Sequence, residues 1–265
     1  MNIPIYIAIF ILGTIIGSFL NVVIYRYKTG WSIISGRSRC MSCGHELAWF
    51  ELLPVFSFIF LGGRCLKCHS KISWQYITVE LLTAILFILA FWHDGGLLNW
   101  SQVLFSWIII SLLIVIGVYD WRHKIIPDHF VYTLIILGFF YQILTNWVWP
   151  FDLIFVNAIL SGLYVTAPLA FLWLISRGRW MGFGDVKLTL GLGWWLGLTL
   201  GFYGLIWSFW LGAIFGVLAV AFKWTQFGKQ ITFKNEIPFA PFLILGFALV
   251  YFTGIGINFM QFLIK

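Results

Sequence analysis

Long runs of residues with almost no charge recur along this chain and constrain its fold more than any other feature. A helix needs roughly 20 apolar residues to cross a bilayer. The runs extend over Ile3–Ile24, Ile77–Trp92, Gln102–Tyr119, Phe130–Trp149, Leu153–Ser176, Leu188–Phe222 and Phe239–Phe262. Apolar residues form 62% of the chain and charged residues 9%, with a mean hydropathy of +0.98. The sequence therefore predicts an all-α fold, a polytopic integral membrane bundle, and not the alternating segments of a membrane β-barrel.

The sixth run is 35 residues long, so it must hold two helices or one broken helix. Counting two gives about eight spans. Two spans need roughly 40 residues, and extending the run back to Gly182 supplies the missing turns and places Asp185 at the membrane boundary. The first run has its basic residues after it, which predicts a retained helix and not a cleaved signal peptide.

The basic residues predict the orientation of the spans. Fifteen of the sixteen Lys and Arg residues fall in alternate connections, and the exception is Lys265. Basic connections lie on the cytoplasmic side, so both termini are expected to be external. The isoelectric point near 9.3 requires no nucleic-acid partner, because this asymmetry accounts for it and the lipid bilayer supplies the counter-charge.

Two of the nine acidic residues, Asp120 and Asp185, fall at helix ends on this basic side. Two carboxylates held a few Å apart do not both ionise easily, so one keeps a proton. The ionised partner can then activate a water while the protonated one polarises a carbonyl, as in aspartic peptide-bond hydrolysis. The alternative is that both are ordinary juxtamembrane acids, solvated or paired with Arg122 and Lys187.

The residues near this pair are candidate supporting residues. Gly182 and Gly184 of "MGFGDVK" can permit a sharp turn and the close approach of an extended substrate. Asp128 follows Pro127, where it can cap a helix or stand beside the pair. Glu80 lies about one turn into the second span, where an acid is either functional or reaches back to the interface.

All four cysteines lie between the first and second spans. Cys40 and Cys43 form one Cys-x2-Cys turn and Cys65 and Cys68 another, with 21 residues between them. This spacing is typical of a tetrahedral zinc site, and disulfides are disfavoured in a cytoplasmic loop. Four thiolates saturate the metal, so the predicted zinc is structural; redox-active or incidental cysteines are the alternative.

The segment "LAWFELLPVFSFIFLGG" between the two cysteine turns has an apolar part too short to span a membrane. It either lies in the membrane interface, where it could hold a membrane-borne substrate, or packs within the loop and on the helices. The predicted divisions are a first transmembrane helix over 1–24, a cytoplasmic zinc-binding loop over 25–76, and a transmembrane core over 77–265 that contains the candidate pair of acids.

Several motifs in order resemble one known family. They are "GSFLNVVIYR", the two cysteine turns, "ISWQYITVELLTA", "YDWRHKIIPD", "GFGDVKLTLGLG" and "EIPFAPFLILG". Together they resemble the bacterial type IV prepilin peptidases, also called prepilin leader peptidases/N-methyltransferases, which are membrane aspartic peptidases of the GxGD type. Met41 and Ala240 depart from the family pattern, and neither departure affects an acid or a thiol.

The resemblance implies that Asp120 and Asp185 are the catalytic pair. Such enzymes remove the short basic leader from type IV prepilins and type II secretion pseudopilins at the cytoplasmic membrane face, after a glycine. Those with the cysteine loop generally also methylate the new amino terminus with S-adenosylmethionine, and all four cysteines are present here. The residues of a methyl-donor site cannot be named from the sequence.

Two rival functions stay open at the sequence level. One is a peptidase that lacks methyltransferase activity and uses the cysteine loop as a scaffold. The other is a transporter or proton channel in which Glu80, Asp120 and Asp185 are relay carboxylates. The clustering of the acids at one face and the absence of an evident inverted repeat count against the second.

Overall fold

A computed structural model describes residues 3–145, 153–222, 225–226, 229–230 and 238–255. It is helical, with α1 (Ile3–Arg26), α2 (Phe56–Phe60), α3 (Gln75–His93), α4 (Trp100–His123), α5 (Asp128–Thr145), α6 (Leu153–Ser176), α7 (Phe183–Ala221) and α8 (Ala240–Thr253). Two 3-10 turns occupy Trp49–Leu52 and Gly96–Asn99, and a two-residue hairpin pairs β1 (Thr225–Gln226) with β2 (Lys229–Gln230). Six of these helices are long and apolar enough to cross a membrane. The predicted all-α membrane bundle is confirmed.

The predicted spans correspond closely to these helices. α6 has the bounds predicted for the fifth run, and α1, α3 and α4 each exceed their predicted runs by a few residues. The predicted ends at Trp149 and Phe262 lie outside the described residues. The chain divides into two compact units, Met1–Val115 and Ile116–Lys265, so that α4 contributes its first part to one unit and its end to the other.

In the first unit, small residues bring α1 against α3. A Cβ added to Gly13 would lie 2.5 Å from the Ala84 Cα, and one added to Gly17 would lie 2.7 Å from the Glu80 Cα. Small residues at such contacts allow close packing of membrane helices. Asn21 is fully buried and donates from Nδ2 to the carbonyl oxygen of Tyr76 at 3.1 Å, so a hydrogen bond also joins α1 to α3.

In the second unit, α7 contains two helices and not one. Gly197 has φ 76° and ψ −175° in the middle of an otherwise helical run. Only glycine adopts this combination without strain. Gly197 therefore ends one arm (183–196) and begins the next (198–221), and the prediction that the long run holds two helices or a broken one is confirmed.

The two arms of α7 run in opposite directions. A Cβ added to Gly193, before the break, would lie 3.0 Å from the Val165 Cβ, and one added to Gly201, after the break, would lie 2.7 Å from the Val165 Cγ2. A straight helix would separate these two glycines by about 12 Å, so the chain turns back at Gly197. Without the five-residue α2, and with the two arms counted separately, the described residues contain eight apolar helical segments, in agreement with the predicted number of spans.

Candidate active site and metal centre

Asp120 and Asp185 are the buried acids among the described residues of the second unit. Asp120 lies in the last turn of α4 and Asp185 in the first turn of α7, with 4% and 7% of their surfaces exposed. The two carboxylates interact electrostatically. The structure thus brings together the two acids that the sequence singled out, at the ends of two helices far apart in the chain.

Each aspartate has a defined polar environment. The backbone N–H of Ala240, at the start of α8, is directed to the Asp120 carboxylate. The other oxygen, Oδ2 of Asp120, is buried and has no hydrogen-bond partner among the described residues. A buried polar atom without a partner is costly and is often reserved for a ligand or a water. The Asp120 carboxyl group therefore has an oxygen available for a ligand or a water.

The glycines before Asp185 have different environments. Gly182 caps α7 in an extended conformation (φ −74°, ψ 149°) that any residue adopts, and a Cβ there would meet nothing closer than 3.9 Å. Gly184 instead packs on the α4–α5 connection, because a Cβ there would lie 3.0 Å from the Ile126 Cβ. Gly182 therefore leaves open space beside Asp185, whereas Gly184 permits close packing.

The same connection is tied to α7 by an ion pair. Asp128 is the first residue of α5, as expected for an acid at a helix start, and its carboxylate pairs with the Lys187 ammonium. The Lys187 ammonium also lies 5.2 Å from the centre of the Tyr132 ring. Lys187 is therefore occupied by Asp128, and the proposed supporting residues Asp128 and Lys187 connect the first turns of α5 and α7.

Glu80 belongs to the first unit and contacts the cysteine loop. Its side chain is buried, and Oε2 accepts a hydrogen bond from the backbone N–H of Val55 at 2.7 Å. Val55 lies 25 residues earlier, between the two cysteine turns. Among the described contacts, Glu80 thus holds the loop to α3.

The four cysteine thiols form one cluster, and their sulfur atoms all lie within 4.8 Å of one another. The Cys40 and Cys68 sulfurs are 3.8 Å apart. Zinc–sulfur bonds of about 2.3 Å in a tetrahedron separate neighbouring sulfurs by roughly 3.8 Å. The donor set and its spacing therefore fit a four-thiolate zinc site, which Cys40, Cys43, Cys65 and Cys68 would form.

The two cysteine turns share one backbone arrangement. The N–H of Gly44 donates to Cys40 O at 2.9 Å, and the N–H of His69 donates to Cys65 O at 3.0 Å. The N–H of Cys40 donates to His45 O and the N–H of Cys65 donates to Ser70 O, each at 2.9 Å. The N–H groups of Cys43 and Ser42 lower the pKa of the Cys40 thiol to about 6, which favours the thiolate that a metal requires.

The sequence did not single out two further site residues. Glu51 is buried beneath the first cysteine turn, where Oε2 accepts from the Ala48 N–H at 2.8 Å and lies 3.2 Å from His45 Nε2. The His45 imidazole thus contacts a carboxylate and not a thiol. The signal for Glu51 was its place as the one acid in an apolar segment. Ile126 gave no signal, since only the fold places it against Gly184.

Fold and sites together define a class of protein. Apolar helices of membrane-spanning length carry a pair of buried, interacting aspartates at their ends, and a separate loop holds four clustered thiols. This combination is typical of polytopic membrane aspartic peptidases that carry a metal-binding loop.

Comparison with known proteins agrees with this class. A model of the bacterial peptidase A24 N-terminal domain matches residues 11–94, and a model of the type IV leader peptidase family matches residues 107–217. The chain belongs to the type IV leader peptidase family. It is 33% identical to the prepilin leader peptidase/N-methyltransferase of Bacillus subtilis (strain 168), over 93% of this chain and 93% of that protein.

Other relatives are similar over comparable lengths. The prepilin leader peptidase/N-methyltransferase of Dichelobacter nodosus is 30% identical over 92% of this chain and 90% of its own length. The protein of the same name from Pseudomonas aeruginosa PAO1 is 28% identical over 95% of this chain and 92% of its own length. No solved structure matches the chain significantly.

Proposed function

We propose that this protein removes the leader peptide from type IV prepilins or type II secretion pseudopilins and then methylates the new amino terminus. Its matching relatives carry the name prepilin leader peptidase/N-methyltransferase. The observation that carries the peptidase assignment is the pair of buried, interacting carboxylates of Asp120 and Asp185. This chain has nine acidic residues, and two of them lie together at helix ends.

In the proposed cleavage reaction, Asp120 and Asp185 share one proton. The ionised carboxylate removes a proton from a water, which attacks the scissile carbonyl carbon, while the protonated carboxyl group donates to the carbonyl oxygen. The tetrahedral intermediate then breaks its C–N bond, and the amine leaves with a proton from the pair. The products are a leader carboxylate and a free amino terminus on the mature protein.

The surroundings of the pair suit an extended substrate. The free space at Gly182 and the unpartnered Oδ2 of Asp120 leave room and a hydrogen-bonding atom for a peptide and a water. The backbone N–H of Ala240 is directed to the same Asp120 carboxyl group. Asp128, Lys187 and Gly184 act as positioning residues, because they fasten the first turn of α7 to the α4–α5 connection.

The cysteine loop holds a structural zinc ion in this proposal. Cys40, Cys43, Cys65 and Cys68 supply four thiolates and leave no open coordination position, so the ion folds the loop and does not take part in hydrolysis. S-adenosylmethionine would supply the methyl group to the new amine. The loop contributes to that second reaction, as its presence in the matched N-terminal domain suggests.

The proposed topology places the active site at the cytoplasmic face. The substrate's apolar helix lies in the bilayer, so its leader junction reaches the interface where α4 ends and α7 begins. Fifteen of sixteen basic residues lie in the connections on this side, which also puts both termini outside. The basic leader is therefore cut where it enters the cytoplasm.

One assay separates the two activities. Purified protein in lipid is incubated with a prepilin and a labelled methyl donor, for wild type, Asp120→Asn, Asp185→Asn and Cys40→Ser. Each Asp variant should lose cleavage by at least about 10³-fold while it keeps its zinc and its unfolding temperature. Cleavage that survives both Asp changes would refute the assignment.

The Cys40→Ser variant tests the methylation assignment. It should lose zinc and methylation but keep cleavage, because the thiols and the aspartates lie in different units. A pre-cleaved prepilin serves as the methylation substrate, so that a loss of methylation does not reflect a loss of cleavage. Normal methylation by a zinc-free variant would assign the loop a scaffold role only.

A further inference from the structure

The segment between the two cysteine turns presents large apolar side chains to its surroundings. Phe56, Ile59 and Phe60 are 61%, 62% and 84% exposed, and Leu52 and Leu53 beside them are also exposed. Single exposed apolar residues are common, but contiguous ones mark a contact surface. Residues 52–61 are named the apolar wedge here.

Internal packing uses only one side of the apolar wedge. The Phe58 ring lies 5.2 Å from the Trp74 ring, and a Cβ added to Gly63 would meet Phe58 at 3.0 Å. α2 is one and a half turns long, so Phe56, Ile59 and Phe60 extend away from these contacts. Packing within the loop and on the helices therefore accounts for Phe58. It leaves Phe56, Ile59 and Phe60 uncovered within the first unit.

Glu80 fixes the depth of the apolar wedge. Glu80 is the sixth residue of α3, about 7.5 Å along the axis from the start of a helix long and apolar enough to span a membrane. Its Oε2 holds the Val55 N–H at 2.7 Å. The apolar wedge therefore lies beside the first two turns of a membrane span and not out in the aqueous phase.

The backbone at Val55 shows that this attachment is specific. Val55 has φ 62°, and the Phe56 N–H donates to Pro54 O at 2.6 Å, so Val55 is the centre of a γ-turn. This turn is strained for a β-branched residue and persists only where the surroundings hold it. The hydrogen bond to Glu80 is such a restraint.

Charge supports the same location. Arg64, Lys67 and Lys71 follow the apolar wedge, and the one acid between Leu47 and Trp74 is Glu51, whose side chain is 2% exposed. Trp74, at the start of α3, is exposed at the level where tryptophan prefers the membrane interface. Apolar side chains with flanking cations match acyl chains beneath phosphate headgroups.

We propose that the apolar wedge inserts Phe56, Ile59 and Phe60 into the lipid leaflet beside α3, with Glu80 as the buried clamp that sets its depth. The zinc-binding loop is thereby attached to the bilayer at a third point, in addition to its covalent connections to α1 and α3. A new amino terminus that emerges at the interface would meet the cysteine loop at a fixed height.

The test is a photo-crosslinking experiment on the full chain in lipid nanodiscs without substrate. The photoreactive residue p-benzoylphenylalanine replaces Phe60 in one variant and Ile34 in the matched control. Ile34 is 95% exposed and lies in the same loop but outside the apolar wedge. After illumination, the intact mass of the Phe60 variant should show one added lipid, at least about fivefold more often than the Ile34 variant.

A second comparison tests the clamp in the same Phe60 variant. Glu80→Gln keeps a carbonyl oxygen to accept the Val55 N–H, whereas Glu80→Leu removes the acceptor. Lipid adducts should persist in the first and fall at least threefold in the second. Equal lipid adducts at Phe60 and Ile34 would overturn the proposal, as would crosslinks from Phe60 to a second copy or, once prepilin is added, to prepilin in place of lipid.

Discussion

His69 has the backbone conformation that glycine has in the other cysteine turn. His69 has φ 55° and Gly44 has φ 71°, and both N–H groups donate to the first cysteine of their turn. A non-glycine residue in this region costs about 1–2 kcal/mol. Position 69 therefore requires a residue that can adopt a positive φ. The imidazole is not needed as a zinc ligand, because four thiols already supply the ligands.

We predict that His69→Gly keeps its zinc, because the turn tolerates glycine and the four thiolates stay in place. The free energy of unfolding should change by no more than about 1 kcal/mol, since relief of strain offsets the added backbone entropy. Zinc content of the purified protein is the measurement, with Cys65→Ser as the variant expected to lose the metal. A zinc-free His69→Gly protein would make the imidazole a ligand.

Gly184 offers a second test at a single position. A Cβ there would lie 3.0 Å from the Ile126 Cβ, so Gly184→Ala should push the first turn of α7, and Asp185 with it, away from Asp120. Misplacement of a catalytic group by up to 1 Å can lower the rate by about 10²-fold. We predict at least about tenfold slower prepilin cleavage by Gly184→Ala.

The control for this prediction is Gly182→Ala, whose Cβ would meet nothing closer than 3.9 Å. It should unfold at the wild-type temperature. Ile126→Ala combined with Gly184→Ala removes two of the three close atoms and should restore part of the cleavage rate. Wild-type cleavage by Gly184→Ala alone would show that Ile126 yields without moving Asp185.

Among the elements, α7 depends most on one residue. Gly197 is the point at which the chain reverses, and φ 76° with ψ −175° is a combination essentially restricted to glycine. Gly197→Ala should therefore lower the free energy of unfolding by about 1–3 kcal/mol. Thermal unfolding in one detergent measures the effect.

Gly216→Ala, in the second arm of α7, is the matched control. A Cβ at Gly216 meets no atom within 4 Å of it, and the residue is helical, so alanine should be neutral or stabilise the helix by up to about 1 kcal/mol. If both variants unfold at the same temperature, the reversal at Gly197 does not require glycine.

The position of this break illustrates what the sequence could not supply. Hydropathy predicted that the sixth run holds two helices or one broken helix, but it does not distinguish the residue at which the chain turns. Several glycines in the run look equivalent by composition. The fold distinguishes them, because Gly191 packs on Leu134, Gly201 on Val165 and Gly204 on Phe247, whereas Gly197 carries the positive φ.

In the candidate site, too, the sequence predicted the types of residue but not the contacts between distant residues. Residue type and motif order predicted the two aspartates and the four cysteines as candidate site residues, because each proposed chemistry requires those groups. The partner of Lys187 was not predictable, since Asp128 lies 59 residues away and only packing of α5 on α7 brings the two together. The same holds for Glu80, whose Val55 partner depends on the path of the loop.

Across the whole molecule, the two compact units coincide with the two parts of the family. The N-terminal domain matches residues 11–94, within Met1–Val115, and most of the peptidase match over 107–217 lies in Ile116–Lys265. All four thiols belong to the first unit and both aspartates to the second. Chemistry and packing therefore divide the chain at nearly the same place.

Orientation is the whole-molecule property that the charge pattern predicts. Fifteen of sixteen basic residues lie in alternate connections, so the turn between α3 and α4 should face the opposite side from the cysteine loop. Leu98 in that turn is 94% exposed and Ile34 in the loop is 95% exposed, which makes them a matched pair. We predict that a membrane-impermeant maleimide labels Leu98→Cys in intact spheroplasts.

The same reagent should label Ile34→Cys only after the membrane is opened. The wild-type chain is the internal control, because its four cysteines all lie in the loop and should add no label to intact spheroplasts. We expect Leu98→Cys to be labelled before the membrane is opened and Ile34→Cys only afterwards, because moving many cations across the bilayer is costly. No single residue determines this result. If Ile34→Cys were labelled in intact spheroplasts and Leu98→Cys were not, the helix ends that carry Asp120 and Asp185 would face away from the cytoplasm, and leader cleavage there would be excluded.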